Sequence, residues 1–213
     1  MNFFGHAWLA ANARPEPAFV FGAMLPDLAA MAGLRIASVS HAAAHDGRRF
    51  HLATDAAFHR AERFGALVLE STRELRAAGL RRGPARAIGH VGVELLLDGW
   101  LAERHGVPEV YAEALLVGPA LLPAISFRGA GDAAPLGELC ARILEATPSP
   151  VAWCEPERLT ARLARILARR SRLALEAREL PAVRSWAART PAALAREAPV
   201  LLDAVRRELA ALR

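Results

Sequence analysis

PARAIGHVGVELLLDGWLAERH, residues 84 to 105, decides how this chain folds. On a helix of about 3.6 residues per turn, His90, Glu94, Asp98 and His105 fall within an ~80° sector. Val91, Val93, Leu95, Leu96, Trp100 and Ala102 cover most of the remainder. An ordinary surface helix has a wider polar face, so this one is expected inside an assembly of helices with its carboxylates pointing inward. Burying two carboxylates without compensation is too costly to expect, and a cation or protonated histidines would remove that cost. Gly89, Gly92 and Gly99 each weaken the helix by up to ~1 kcal/mol relative to alanine, which close packing or ligand access would explain.

A second stripe lies upstream. HLATDAAFH puts His51, Asp55 and His59 at i, i+4 and i+8, positions that drift by only ~40° per step on a helix. Two such stripes facing each other have the donors to hold a cation. All seven histidines (His6, His41, His45, His51, His59, His90 and His105) lie in the first half of the chain. Asp27 is the sole charge between Glu16 and Arg35 in a hydrophobic segment. The bland readings are solvated stripes, exposed loop positions for His41 and His45, a satisfied core histidine for His6, and a helix cap for Asp27.

Alanine, leucine, arginine and glutamate dominate, alternating β patterns are absent, and apolar residues recur at three and four throughout. The expectation is an all-α fold, a single-domain helical bundle over residues 1–213, with eight or so helices. These are read at Phe3–Asn12, Pro17–Ala32 with Pro26 near a bend, Arg48–Ala78, Pro84–His105, Pro108–Val117, and about 135–146, 155–178, 181–188 and 190–212. A loop holds His41, His45 and Gly47, and the glycine-rich FRGAGDAAP precedes the C-terminal helices. All 27 basic residues are arginine and the net charge is +5, a balance that favours acidic partners. Cys140 and Cys154 are too few and too far apart for a disulfide framework or a thiolate knuckle. The N-terminal MNFFGHAWLAANA lacks a basic stretch and is interrupted by His6, so it is not read as a secretory signal. LLVGPALLPAISF, with two prolines, is short of the ~20 apolar residues a membrane span needs. The expected location is the cytoplasm.

Taken in order, the motifs resemble the acyl carrier protein phosphodiesterase family, helical HD-like metal-dependent phosphohydrolases. MNFFGHAWLA is similar to that family's opening segment, with its histidine at His6, and FGAMLPDLA to its G-x-x-x-x-D segment, with the acid at Asp27. GRRFHLATD resembles its first signature, placing family positions on His51 and Asp55. ELLLDGWLAERH resembles its second, placing them on Glu94, Asp98 and His105, and LARILARRSRLAL its basic C-terminal helix. Gly99 stands where the family pattern has the histidine of an Asp-His dyad, Glu94 replaces an aspartate, His59 replaces an acid, and His90 is additional. G-H-x-x-x-E is also similar to the metal helix of zinc-dependent phospholipase C proteins.

The resemblance implies an HD-like scaffold and hydrolysis of the phosphodiester joining 4′-phosphopantetheine to a serine of holo-acyl carrier protein. His51, Asp55, His90, Glu94 and Asp98 are then the expected metal shell, with His6 and Asp27 as further ligands or orienting groups. The expected ion is Mn²⁺, with Zn²⁺ or Fe²⁺ as alternatives. His59 or His105 is the expected proton donor to the departing serine oxygen. Arg165, Arg169, Arg170 and Arg172 are the expected positive surface for the acidic carrier protein. The rival readings are a phospholipase C-like phosphodiesterase and a non-catalytic carrier-protein binder. A nucleic-acid binder fits the charge but leaves the histidine and acid pairs without a role, and no recognition helix or aromatic stacking motif is present.

Overall fold

The computed structural model describes residues 1–129, 132–146 and 154–211. Over these residues the chain is all-α, with nine α-helices and one two-stranded β pair. Among the described residues no helix is long and apolar enough to cross a membrane. The residues cluster into two compact units, Met1–Ala56 with His105–Ser149 and Ala57–Arg104 with Pro150–Arg213.

The first unit holds α1 (Phe3–Ala13), α2 (Pro17–Met31), most of α3 (Ala42–Arg60), α6 (Glu109–Leu121) and α7 (Ala134–Glu145). α2 packs against α1, α6 and α7, so every side has a neighbour, and an unbroken buried run from Ala18 to Leu25 follows from that. Phe21 fills the space left by Gly118 of α6, where an added Cβ would come within 2.5 Å of its ring. The strands β1 (Ile36–Val39) and β2 (Ile125–Phe127) pair antiparallel, with Val39 opposite Ile125 and Ile36 opposite Phe127. This pair departs from the expectation of helices alone. Four and three residues are too few to show an alternation, and only the β-branched and aromatic content hints at it.

The second unit holds the end of α3, α4 (Glu62–Ala77), α5 (Arg82–His105) up to Arg104, α8 (Pro156–Ala168) and α9 (Leu180–Ala211). The glycines of α5 mark where neighbours press in. A Cβ at Gly89 would meet the α4 backbone at Val68, at 2.9 Å from its carbonyl oxygen, and one at Gly92 the fully buried Trp186 ring of α9 at 2.4 Å. Glu179, 3% exposed, accepts hydrogen bonds from Arg81 Nη2 at 2.8 Å, the Arg81 backbone N–H at 3.0 Å and the Glu176 N–H at 2.9 Å. The Arg81 guanidinium accordingly holds the Glu179 carboxyl down to about 2.

Several element boundaries differ from expectation. α3 begins at Ala42, not Arg48, because the His41 ring accepts the Ala44 N–H at 3.4 Å as a cap, so His45 and Gly47 are helical. The expected helix Arg48–Ala78 breaks at Ala61, whose extended backbone (ψ 122°) turns the chain so that Phe64 packs against Phe58, ring centres 4.2 Å apart and planes tilted by 40°. The expected helix 155–178 stops at Ala168, and two 3₁₀ turns at Ser171–Leu173 and Ala177–Glu179 carry Glu179 to Arg81. α9 is continuous through Pro191 and Pro199, and Pro26 likewise lies inside α2. A proline inside a helix costs ~3 kcal/mol. Burial of Val183, Trp186, Leu194, Leu201, Leu202 and Val205 along α9 offsets it. Ala130, Gly131 and Leu212, within the expected loop and last helix, lie outside the described residues.

Candidate metal centres

The first group is assembled by backbone contact between α2 and α3. A Cβ on Gly22 would lie 2.1 Å from the Ala44 carbonyl oxygen, and one on Gly47 would lie 2.0 Å from that of Phe19. Only glycine permits so close an approach. One turn beyond Gly47, the buried His51 donates its Nδ1–H to the Ala23 carbonyl of α2 at 2.9 Å. One turn beyond Ala23 stands Asp27.

His6 of α1, fully buried, completes the group through Thr54. Its Nδ1 lies 2.8 Å from Thr54 Oγ1, which is itself 2.9 Å from the His51 carbonyl and 3.0 Å from that of Phe50. A hydroxyl has one proton, which Thr54 gives to a carbonyl, so it accepts from His6 Nδ1–H. Both imidazoles therefore carry their proton on Nδ1 and present a lone pair on Nε2. Burial pushes the His51 imidazole below its ordinary range, against the opposing pull of the Ala23 carbonyl and Asp55, and favours this neutral form. The rings lie 3.9 Å apart at 36°. Ligand atoms of His6, Asp27 and His51 all fall within 4.8 Å of one another. Two neutral imidazoles anchored through Nδ1, plus a carboxylate, suit Zn²⁺, Fe²⁺ or Mn²⁺, and the Nδ1 partners are what orients such ligands in metal sites. Asp55 Oδ1 stands 3.9 Å from His6 Nε2 on a side chain 41% exposed, at the solvent edge.

The second group lies in the other unit. His59 Nε2, on the last turn of α3, is 3.1 Å from His90 Nε2 on α5, and Glu94 Oε1 is 3.2 Å from His90 and 3.4 Å from His59. Burial alone would raise the Glu94 carboxyl, but hydrogen bonds from His59 and His90 reverse this and hold it far below its usual range.

Of the remaining expected residues, Asp98 is buried on α5 and belongs to neither group among the described residues. His105 lies 5.0 Å from the Trp8 ring and lines a cleft with Trp8, Asn12, Pro108 and Glu113. Arg165, Arg169, Arg170 and Arg172 are all exposed, but only Arg165 is on α8, because the helix ends before the others. Gly99 is pressed by Cys154, whose Sγ would lie 1.9 Å from an added Cβ. Sequence reasoning missed Thr54, Gly22 and Gly47. Their signal is positional, a glycine one turn before the candidate ligand His51 and a hydroxyl three residues after it.

Comparison with protein-family models, characterised proteins and solved structures gave no match.

Proposed function

We propose that this chain is a metal-dependent phosphoric diester hydrolase, its ion held by His6, Asp27 and His51, and that its substrate is the 4′-phosphopantetheine diester of holo-acyl carrier protein. One observation carries the reading. Three helices bring two Nδ1-anchored imidazoles and a carboxylate within 4.8 Å of one another, at the histidine and acid positions of three separate motifs. An ion held by His6, Asp27 and His51 would supply a water of lowered pKa, toward ~7, and positive charge for the phosphoryl oxygens.

The chain's own residues do the rest. Ala23 and Thr54 fix the two rings, so neither imidazole has to reorient as the ion binds. Asp55, at the exposed edge beside His6 Nε2, accepts a proton from the attacking water. The exposed arginines 165, 169, 170 and 172 attract an acidic carrier protein in the cytoplasm.

The test is metal analysis of the purified chain together with release of 4′-phosphopantetheine from holo-acyl carrier protein. The expected result is that His51→Ala and Asp27→Asn each lose one equivalent of the Mn, Zn or Fe held by the wild type, together with the hydrolysis. A chain that binds carrier protein equally in wild type and Asp27→Asn, and hydrolyses none, would overturn the enzyme reading in favour of a binder.

A further inference from the structure

We infer that His59, His90 and Glu94 form a second site, for a borderline divalent transition metal such as Zn²⁺, with a coordination position open to solvent. This goes beyond the proposed hydrolase site and shares no residue with it. The three donor atoms make a nearly regular triangle with edges of 3.1, 3.2 and 3.4 Å. Ligands ~2.0–2.1 Å from a tetrahedral zinc stand about 3.3–3.4 Å apart, and those around an octahedral ion of similar size about 3.0 Å apart. The edges match that range before any ion is present.

Proton counting gives the same answer. Each neutral imidazole has one N–H, and here Nε2 of one ring faces Nε2 of the other with a carboxylate oxygen beside both. Between the two nitrogens at most one hydrogen bond forms, and it consumes the only lone pair there; with both rings protonated on Nδ1 instead, two lone pairs and the carboxylate face one point. A cation in the triangle uses both lone pairs and the carboxylate at once.

The rings are held for it. The edge of Phe64 stands against His59 at 5.2 Å and 88° and against His90 at 5.2 Å and 83°, and the two imidazoles stack at 5.1 Å with 20° between planes. His90 and Glu94 are spaced i, i+4 on one helix, the spacing that lets a single helix offer two ligands on one face. The side chains of His59 and His90 are 33% and 42% exposed, so an ion can enter without unfolding, whereas Glu94 is only 13% exposed. Two imidazoles and one carboxylate are the donor set of open three-ligand zinc sites, whose fourth position takes water or substrate. An ion here also fastens the last turn of α3 to α5 next to the break at Ala61.

The experiment is calorimetric titration of the metal-stripped full chain with Zn²⁺, with the visible spectrum of Co²⁺ as a second readout. Wild type is compared with His90→Ala, Glu94→Gln and His51→Ala. The expected result is one Zn²⁺ equivalent lost, or weakened at least about tenfold, in His90→Ala and Glu94→Gln, with loss of tetrahedral Co²⁺ bands. His51→Ala keeps that equivalent and those bands. Unchanged stoichiometry and affinity in His90→Ala and Glu94→Gln would overturn the second site while leaving the His51 site standing. A wild type that takes up no Zn²⁺ would overturn it as well. Circular dichroism of His90→Ala, whose side chain is partly exposed, checks that the loss is not one of fold.

Discussion

Gly99 on α5 is packed directly against Cys154, and its surroundings make a sharp prediction. A Cβ built there lies 1.9 Å from Cys154 Sγ, against an ordinary contact of ~3.5–4.0 Å, so the thiol has to swing aside or α5 has to move. Overpacking of this kind costs ~1–3 kcal/mol. Alanine in place of glycine inside a helix returns ~1 kcal/mol through propensity. Gly99→Ala is therefore expected to destabilise by about 1 kcal/mol net. With the thiol removed, the nearest atom to the new methyl is the Cβ of residue 154 at 3.5 Å, an ordinary contact. In a Cys154→Ala background the same substitution should stabilise by about 1 kcal/mol, so the sign inverts and the coupling is about 2 kcal/mol. Urea unfolding of the four proteins under reducing conditions, followed by fluorescence, measures this cycle. Equal effects of Gly99→Ala in both backgrounds, within ~0.5 kcal/mol, would refute the packing argument. The same 1.9 Å means that Gly99→His also requires the thiol to move.

Glu179→Gln should flatten the acid limb of stability. The folded carboxyl sits at about 2, below its ordinary value, so its contribution is full above pH ~4.5 and is lost as pH falls toward 2. At ~1.4 kcal/mol per unit this is at most ~3.5 kcal/mol, reduced to ~1–2 kcal/mol because the Arg81 side chain is 39% exposed. Urea midpoints at pH 7 and pH 3 decide it, and parallel pH slopes for variant and wild type would count against the Arg81 pairing. Gly47→Ala should destabilise by ~3 kcal/mol and abolish metal binding at His51, since its Cβ meets backbone 2.0 Å away that no rotamer change can relieve. Gly65→Ala on α4, with nothing within 4 Å, is the control and should stabilise by ~0.5–1 kcal/mol, both variants being read by urea unfolding. Burial pushes the Cys140 and Cys154 thiols up to about 11, so at pH 8 both should alkylate ~100-fold more slowly than an ordinary thiol, read by mass spectrometry of the native chain.

How much of this was legible in the residues differs from segment to segment. The helical class and the placement of α1, α2 and α5 followed from apolar spacing and from glycine or proline at the ends, because those signals are local. The β1–β2 pair depends on segments some ninety residues apart and leaves no period in either. Ala61 is an excellent helix former, and the break there exists for the contact of Phe64 with Phe58, a tertiary demand that propensity does not register. The opposite happened at Pro191, where a local stop signal is overridden by packing along α9. For the candidate sites, the residue types and motifs were visible but the partners were not, since the anchoring groups are a threonine hydroxyl, a backbone carbonyl and two glycines.

The grouping itself follows from helix arithmetic. His51 and His59 lie eight residues apart on α3, which is about 12 Å along the axis and an ~80° turn around it. Ligands of one ion stand within about 4 Å of each other. One cation therefore cannot take both histidines, however straight the stripe looks on a wheel. Each must find its partners among side chains near its own turn of the helix. For His51 these are His6 and Asp27, reached because Gly47, one turn earlier, lets α2 come to backbone contact. For His59 they are His90 and Glu94, reached because α3 ends a residue later and Phe64 returns against both rings. A stripe at i, i+4 and i+8 thus identifies a helix that faces polar partners, while the glycines and breaks beside each member decide which partners those are.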